Sequence, residues 1–236
     1  MSQYHQAPPL PARRRFLALA GLAALGIAWP GAPGSAWAGP VTRRAIEPDT
    51  PEAALQMLME GNARFAAGQL TTPHRSLDRL NEVAAAQHPF AAVLSCADSR
   101  VPVELLFDQG FGDLFVVRNA GNVVTPEEIA SLEFGALVLG AKVLRVLGHS
   151  QCGAVKAAIA GDAVPGQIST LFQHIQPAVD AAGPDIGAVV EANVQHQAHL
   201  LERASPVLAT LVRERRLLVV GGVYDLGSRR VKQVSS

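Results

Sequence analysis

The stretch Phe90-Ala-Ala-Val-Leu-Ser-Cys-Ala-Asp-Ser-Arg100 joins an apolar run to a short polar motif. A second apolar run, Val143-Leu-Arg-Val-Leu-Gly148, leads in the same way into His149-Ser-Gln-Cys152. Short apolar runs that end in polar loops are typical of buried strands in a parallel sheet. Ligand sites in such sheets gather at the carboxyl ends of the strands. The sequence therefore predicts that both motifs lie together at that edge.

The two motifs contain the only two cysteines of the chain, Cys96 and Cys152, and one histidine, His149. Two thiolates and one imidazole are ligands that suit zinc. Three protein ligands leave a fourth position open, which is typical of a catalytic zinc site. A disulfide between the cysteines is the alternative for an exported protein. The spacing of His149 and Cys152 favours metal ligation.

Predicted strands alternate with predicted helices along the chain. We predict strands at residues 90–95, 114–117, 143–148, 217–224 and 231–234. We predict helices at residues 51–65, 77–87, 101–107, 126–139, 153–160, 168–182, 187–203 and from 206 onward. This alternation predicts an α/β fold with a mostly parallel central sheet of about four strands, a C-terminal edge strand and helices on both faces.

The N-terminus has the features of an export signal. Arg13-Arg-Arg15 precedes the 14-residue apolar segment Phe16–Trp29, and Ala36-Trp-Ala38 provides a cleavage site. The segment is too short to span a bilayer comfortably, and residues 13–17 resemble a twin-arginine signal. We predict a signal peptide at 1–38, a linker at 39–49, one catalytic domain at 50–236 and a periplasmic or secreted protein. An uncleaved membrane anchor and a wrongly assigned start codon are the alternatives.

The composition limits the classes of protein to which the chain can belong. Hydrophobic residues make up 49% of the chain and charged residues 17%, so a sizeable core is expected and disorder of the bulk is not. The formal net charge is zero and there is no long basic tract. We therefore expect no nucleic-acid partner.

Four segments together resemble the β-class carbonic anhydrases, of an exported bacterial type. They are Cys96-Ala-Asp-Ser-Arg-Val-Pro102, Gly112-Asp-Leu-Phe-Val-Val-Arg118, Ala120-Gly-Asn122 and Gly148-His-Ser-Gln-Cys-Gly153. The similarity covers nearly all of the chain after the signal, from Gly61-Asn-Ala-Arg-Phe65 to Val223-Tyr-Asp225. The segments occur in the order and at the spacing of that family.

The resemblance implies one Zn2+ per chain, bound by Cys96, His149 and Cys152. It implies reversible hydration of carbon dioxide to bicarbonate and a proton, by attack of a zinc-bound hydroxide. Asp98 and Arg100 correspond to the catalytic pair that orients this hydroxide. In a closed state of some members, the aspartate is the fourth zinc ligand.

The resemblance also implies residues that contact the substrate. Gln87 and Gly153 match family positions that bind CO2 or bicarbonate. Phe65, Phe90 and Val123 are candidates for the apolar wall of the pocket.

The family further implies a homodimer or a tetramer of dimers, in which the helix at 51–65 is an N-terminal arm that embraces the partner. No membrane span is expected after cleavage. Val93 stands where members inhibited by bicarbonate carry a tryptophan, so that inhibitory pocket is not expected here. Hydrolysis of CS2 or COS, and a non-enzymatic bicarbonate-sensing module, are the alternative functions.

Overall fold

The computed structural model describes residues 48–234, whose centre is a five-stranded sheet in the order β2-β1-β3-β4-β5. The strands are β1 (Ala91–Cys96), β2 (Leu114–Asn119), β3 (Val143–His149), β4 (Leu218–Tyr224) and β5 (Val231–Val234). The helices are α1 (Pro51–Ala67), α2 (Leu77–Val83), α3 (Val103–Leu106), α4 (Pro126–Glu133), α5 (Gly153–Ala160), α6 (Ser169–Ala182), α7 (Ile186–Ala204) and α8 (Pro206–Arg213). The predicted alternation of strands and helices is confirmed.

The two strands that precede the motifs lie side by side within the sheet. Every residue of β1 and of β3 is buried, as the apolar runs predict. β1 pairs in parallel with β2 and β3, β3 pairs in parallel with β4, and β5 is an antiparallel edge strand. The register aligns Cys96 with Asn119 and His149 with Tyr224. The carboxyl ends of four strands therefore share one edge.

Helices cover both faces of the sheet, as predicted. On one face, Leu58 of α1 and Leu106 of α3 pack in a buried cluster with Val93 of β1. On the other face, Leu94 of β1 packs in a separate cluster that includes Leu201 of α7. Because successive residues of a strand point to opposite faces, β1 contributes alternately to the two clusters.

The N-terminal helix begins where its capping residues predict. The Thr50 hydroxyl accepts a hydrogen bond from the Ala53 amide at 3.1 Å, Pro51 occupies the first turn, and Gly68 ends the helix in the left-handed conformation. The buried face of α1 packs on the sheet of its own chain. Contact of this helix with a partner chain remains a prediction.

The predicted helix at 126–139 is divided into two parts. α4 ends at Glu133, and residues Phe134–Val138 form a π-helical turn. A Cβ atom on Gly135 would lie 2.8 Å from Phe115 Cδ1, so only glycine permits this approach to β2. The spacing of apolar residues does not distinguish an α turn from a single π turn, which is why one continuous helix is predicted.

The predicted helix at 77–87 ends earlier, at Val83. Within residues 48–234, no helix has the length and apolar character needed to cross a membrane. The predicted signal peptide and residues 39–47 of the linker lie outside the described residues.

Candidate metal centre

Three side chains with metal-binding atoms meet at the carboxyl edge of the sheet. Cys96 ends β1, His149 ends β3, and Cys152 immediately precedes α5. Their ligand atoms all lie within 4.8 Å of one another, and the two Sγ atoms are 4.0 Å apart. All three residues are buried and both cysteines are free thiols. In residues 48–234, this is the single group of three such side chains that could hold a metal ion.

The hydrogen bonding of His149 prepares its imidazole for a metal. Nδ1 lies 2.9 Å from the carbonyl oxygen of Ser150, so Nδ1 carries the proton and donates. Nε2 is buried and has no hydrogen-bond partner within the described residues. An unpartnered buried nitrogen is unfavourable unless something occupies its lone pair. This lone pair and the two sulfur atoms fit zinc, which binds neutral imidazole and thiolates.

The two thiols share a hydrogen bond that favours the thiolate form of Cys96 over that of Cys152. This bond from Cys152 lowers the pKa of Cys96 to about 4 against the effect of burial, and the hydrogen bond from the Gly121 amide lowers it further. The same bond, together with burial, raises the pKa of Cys152. The Gly121 N–H donates to Cys96 Sγ at 3.4 Å. A thiolate is thus available as a ligand near neutral pH.

Asp98 and Arg100 form a bidentate ion pair beside these ligands. Arg100 donates from Nη2 to Asp98 Oδ2 at 2.7 Å, and from both Nε and the backbone amide to Oδ1 at 2.9 Å. These bonds hold the pKa of Asp98 well below its usual range and raise the pKa of Arg100. Asp98 Oδ2 is 3.7 Å from His149 Nε2. The carboxylate is paired with Arg100 in this arrangement, so Asp98 as a fourth ligand remains a prediction.

The Arg118 side chain holds the first motif by hydrogen bonds to the backbone of that motif. Its Nε donates to the carbonyl oxygen of Cys96 at 3.1 Å, and its Nη2 donates to that of Asp98 at 2.8 Å. No role in the site was predicted for Arg118 from the sequence. Its position in β2, directly before the polar loop at the strand end, is the signal that could have identified it.

Two of the predicted substrate contacts lie next to the ligands. Gly153 is the first residue of α5, and no atom lies within 4 Å of the position that its Cβ would occupy. Open space therefore adjoins Cys152. Val123 is buried in the same apolar cluster as Cys96 and Cys152, which agrees with a place in the pocket wall.

Other predicted contacts lie elsewhere. Gln87 is exposed on the loop before β1, whereas the ligands lie after β1, so one chain does not bring Gln87 to its own metal centre. Phe90 is buried at the same end of β1, and its place in the pocket wall stays a prediction. Phe65 packs against the ring of Tyr224, with centroids 6.5 Å apart.

Comparisons with known proteins agree with this arrangement. A family model described as carbonic anhydrase matches residues 91–231. Carbonic anhydrase 2 of Mycobacterium tuberculosis is 38% identical over 188 residues, covering 76% of this chain and 91% of that protein. A carbonic anhydrase of Mycolicibacterium smegmatis is 37% identical over 192 residues, covering 77% and 92%.

Solved structures show the same fold. The β-carbonic anhydrase of Coccomyxa, in complex with acetazolamide, is 29% identical with a TM-score of 0.59, covering 76% of this chain and 86% of that chain. One of two β-carbonic anhydrases from Sordaria macrospora, described as tetrameric, is 23% identical with a TM-score of 0.61, covering 77% and 97%. The residues matched by the family model include the three candidate ligands, Asp98 and Arg100.

Proposed function

Since this chain belongs to the β-class carbonic anhydrase family, and is therefore a zinc-dependent enzyme that reversibly hydrates carbon dioxide, we propose that Asp98 and Arg100 orient the reacting water. Zinc held by Cys96, His149 and Cys152 would supply a strongly acidified water as the nucleophile. The observation that carries the proposal is the bidentate Asp98–Arg100 pair, whose carboxylate lies 3.7 Å from the free nitrogen of His149.

The role of Asp98 follows from its charge and its position. An ionised carboxylate only accepts hydrogen bonds, so it can fix the direction of a water O–H and leave an oxygen lone pair facing the substrate carbon. Arg100 keeps Asp98 ionised and holds its plane through two side-chain bonds.

Stopped-flow measurement of CO2 hydration by the purified, zinc-loaded protein tests this function. We expect hydration far above the buffer rate with one zinc per chain, and loss of both zinc and activity in Cys152→Ser. A hydration rate no higher than that in buffer alone, in protein that holds one zinc per chain, would contradict the proposal. Sulfide release from CS2 or COS by such protein would instead support the alternative substrates.

We also propose that the enzyme is a homo-oligomer, and that Gln87 serves the metal centre of a partner chain. In one chain Gln87 is exposed, and α2, which precedes it in the chain, exposes the apolar side chains of Leu77 and Leu80. Such a surface is typical of an interface. The predicted homodimer, or tetramer of dimers, would bury this surface and bring Gln87 near a second metal centre.

Mixing two inactive variants tests the sharing of Gln87. Gln87→Ala retains its own ligands and lacks the amide, whereas Cys152→Ser lacks a ligand and retains the amide. If Gln87 acts across the interface, chains unfolded together and refolded as a mixture should be more active than either variant alone. A purely monomeric mass by light scattering, or a Gln87→Ala variant with unchanged activity, would contradict the proposal.

Export by the twin-arginine route is a third proposal, which rests on the signal-like sequence of residues 1–38. Export should remove these residues and leave Gly39 as the N-terminus, which mass spectrometry can identify. Replacing Arg13 and Arg14 by lysine should keep the full-length chain in the cytoplasm. Normal export of that variant would contradict this route.

A further inference from the structure

Helix α7 carries two amide side chains on its buried face. Asn193 is 1% exposed and Gln197 is 0% exposed, among the apolar residues of that face. Residues four apart lie on the same side of a helix. The side chains contact each other, because Gln197 Nε2 donates to Asn193 Oδ1 at 3.0 Å. Buried amides of this kind are retained only where their hydrogen bonds are satisfied.

Both amides bind the loop between β2 and α4. Asn193 Nδ2 donates to the carbonyl oxygen of Gly121 at 3.0 Å. Gln197 Oε1 accepts from the Val124 amide at 2.9 Å, while Gln197 Nε2 also donates to the carbonyl oxygen of His174 at 2.9 Å. The loop is therefore held at two backbone points by one helix, which is itself joined to α6.

The loop in turn contacts a metal ligand through Gly121. Its N–H donates to Cys96 Sγ at 3.4 Å. Gly121 has a φ of +84°, and a Cβ atom there would lie 2.9 Å from Ile175 Cδ1 and 3.2 Å from Ala154 Cβ. The conformation and the close packing both require glycine, so the peptide has little room to move. Its orientation follows from how the loop is held.

We propose that Asn193 and Gln197 are positioning residues, which aim the Gly121 N–H at Cys96 Sγ and so set how much charge this thiolate donates to zinc. The proposal rests on zinc ligation by Cys96. A hydrogen bond to a thiolate withdraws electron density from sulfur, and outer partners of this kind tune a metal site without contacting the metal. Neither amide forms a hydrogen bond with Cys96, His149 or Cys152.

Cobalt substitution gives a readout of the thiolate itself. Tetrahedral Co2+ bound to thiolates has sulfur-to-metal charge-transfer absorption, whose energy falls as the sulfur becomes richer in electrons. We expect this band to move to longer wavelength in Asn193→Ala, and in the same direction but by less in Gln197→Met. Zinc affinity should fall about 10-fold in Asn193→Ala, at the lower end of the range for outer partners.

Asn62→Ala is the matched control. Asn62 is also a buried helical amide, and it bonds to the carbonyl oxygens of Leu106 and Arg229 and to the Val231 amide, with no recorded contact to the ligands. We expect it to lower the stability of the fold and to leave the cobalt band unchanged. A folded Asn193→Ala or Gln197→Met protein with the wild-type band would overturn the proposal. So would an equal shift in Asn62→Ala.

Two further measurements separate the possible failures. If Asn193→Ala does not fold, Gln197→Met decides the question, and faster amide exchange of residues 119–124 should accompany its shift. An unchanged exchange rate together with an unchanged band would reject positioning by Gln197. Absence of a thiolate band in cobalt-loaded wild-type protein would contradict metal ligation by the cysteines. A normal band in wild type that is unchanged in the variants would contradict only the positioning role of Asn193 and Gln197.

Discussion

The Asp98 carboxylate is kept ionised by a neighbour two residues along the chain. Arg100 contacts both carboxylate oxygens, and its side-chain bonds are the largest cause of the lowered pKa of Asp98. The carboxylate is therefore ionised at neutral pH. In the proposed role, Asp98 would act there as a hydrogen-bond acceptor only.

Replacing Asp98 by asparagine should separate orientation from metal binding. We expect Asp98→Asn to lower kcat/KM by about 100-fold or more, because an amide can turn its NH2 group towards the water. Zinc content should be unchanged, since Cys96, His149 and Cys152 remain. Stopped-flow hydration and metal analysis measure the two quantities.

Glu191→Gln is the control for Asp98→Asn. Glu191 is another partly buried acid in an ion pair, 2.9 Å from Lys232 Nζ, and its replacement should leave the rate unchanged. Wild-type kcat/KM in Asp98→Asn would remove Asp98 from the mechanism. Loss of zinc in that variant would instead make Asp98 a ligand at the pH of the measurement.

At the scale of the elements, a buried carboxylate fixes the segment that follows α1. Asp108 accepts from Arg64 Nε at 2.8 Å, from both the amide and the hydroxyl of Thr71, and from the amide of Thr72. Burial alone would raise the pKa of Asp108, but these bonds outweigh it and lower the pKa to about 2. The ionised form therefore stabilises the link between α1 and the residues after α3.

Asp108→Asn should destabilise the protein most at neutral pH. A native pKa near 2, against about 3.9 when unfolded, gives about 2.6 kcal/mol that is present above pH 4 and lost as the pH falls through 2. We expect a loss of about 2–4 kcal/mol at pH 7 by urea unfolding, and a smaller difference from wild type at pH 3. The exposed Asp180→Asn should change stability by less than about 0.5 kcal/mol. A difference that grows towards pH 3 would contradict this account.

The layer between α1 and the sheet contains a buried cation that has no acidic partner among the described residues. Arg145 is fully buried in β3, and its Nε and Nη2 have no acceptor within residues 48–234. Burial lowers the pKa of Arg145 to about 10. The guanidinium lies over Gly222 of β4, where a Cβ atom would come within 2.1 Å of Nη2.

Removing this charge should stabilise the fold. Methionine keeps an unbranched side chain, although a shorter one, and removes the desolvated cation, so we expect Arg145→Met to raise the free energy of unfolding by about 1–3 kcal/mol. Exposed Arg216→Met should change it by less than about 0.5 kcal/mol. A loss of more than about 1 kcal/mol in Arg145→Met would contradict this expectation.

The sequence predicts those features of the elements and the site that are local. The strands β1 and β3 follow from apolar runs, and the three ligands follow from residue chemistry at strand ends. The π-helical turn after α4 depends on how closely Gly135 approaches Phe115, which is a tertiary distance. The contact from Asn193 to Gly121 joins residues far apart in sequence, so no local pattern reports it.

At the scale of the whole molecule, the metal centre depends on the completed sheet. Cys96 and His149 end neighbouring strands, and the register of β1 and β3 brings them together. A partly folded chain therefore lacks the site. The same arrangement places the two free sulfur atoms 4.0 Å apart. Closing a disulfide, with a bond of about 2.05 Å, requires a movement of only about 2 Å.

Chelation in air should therefore alter the enzyme covalently. We expect protein treated with EDTA under air to lose about 2 Da as dissolved oxygen takes two hydrogens from the thiols. Added zinc should then restore little activity until a reductant is supplied. Protein treated with EDTA under nitrogen should recover with zinc alone. Full recovery of the air-treated sample with zinc alone would contradict this prediction.

Because the two sulfur atoms that would bind zinc lie so close together, their oxidation also limits how long the enzyme stays active. Under oxidising conditions, rebinding of zinc competes with oxidation of the thiols each time the metal leaves. The loss of activity is therefore governed by the rate of zinc release and not by a free energy of unfolding. Stabilising the fold would then do little to prolong activity. Slower release of the metal would prolong it directly, and ageing samples should contain folded, oxidised chains instead of aggregates.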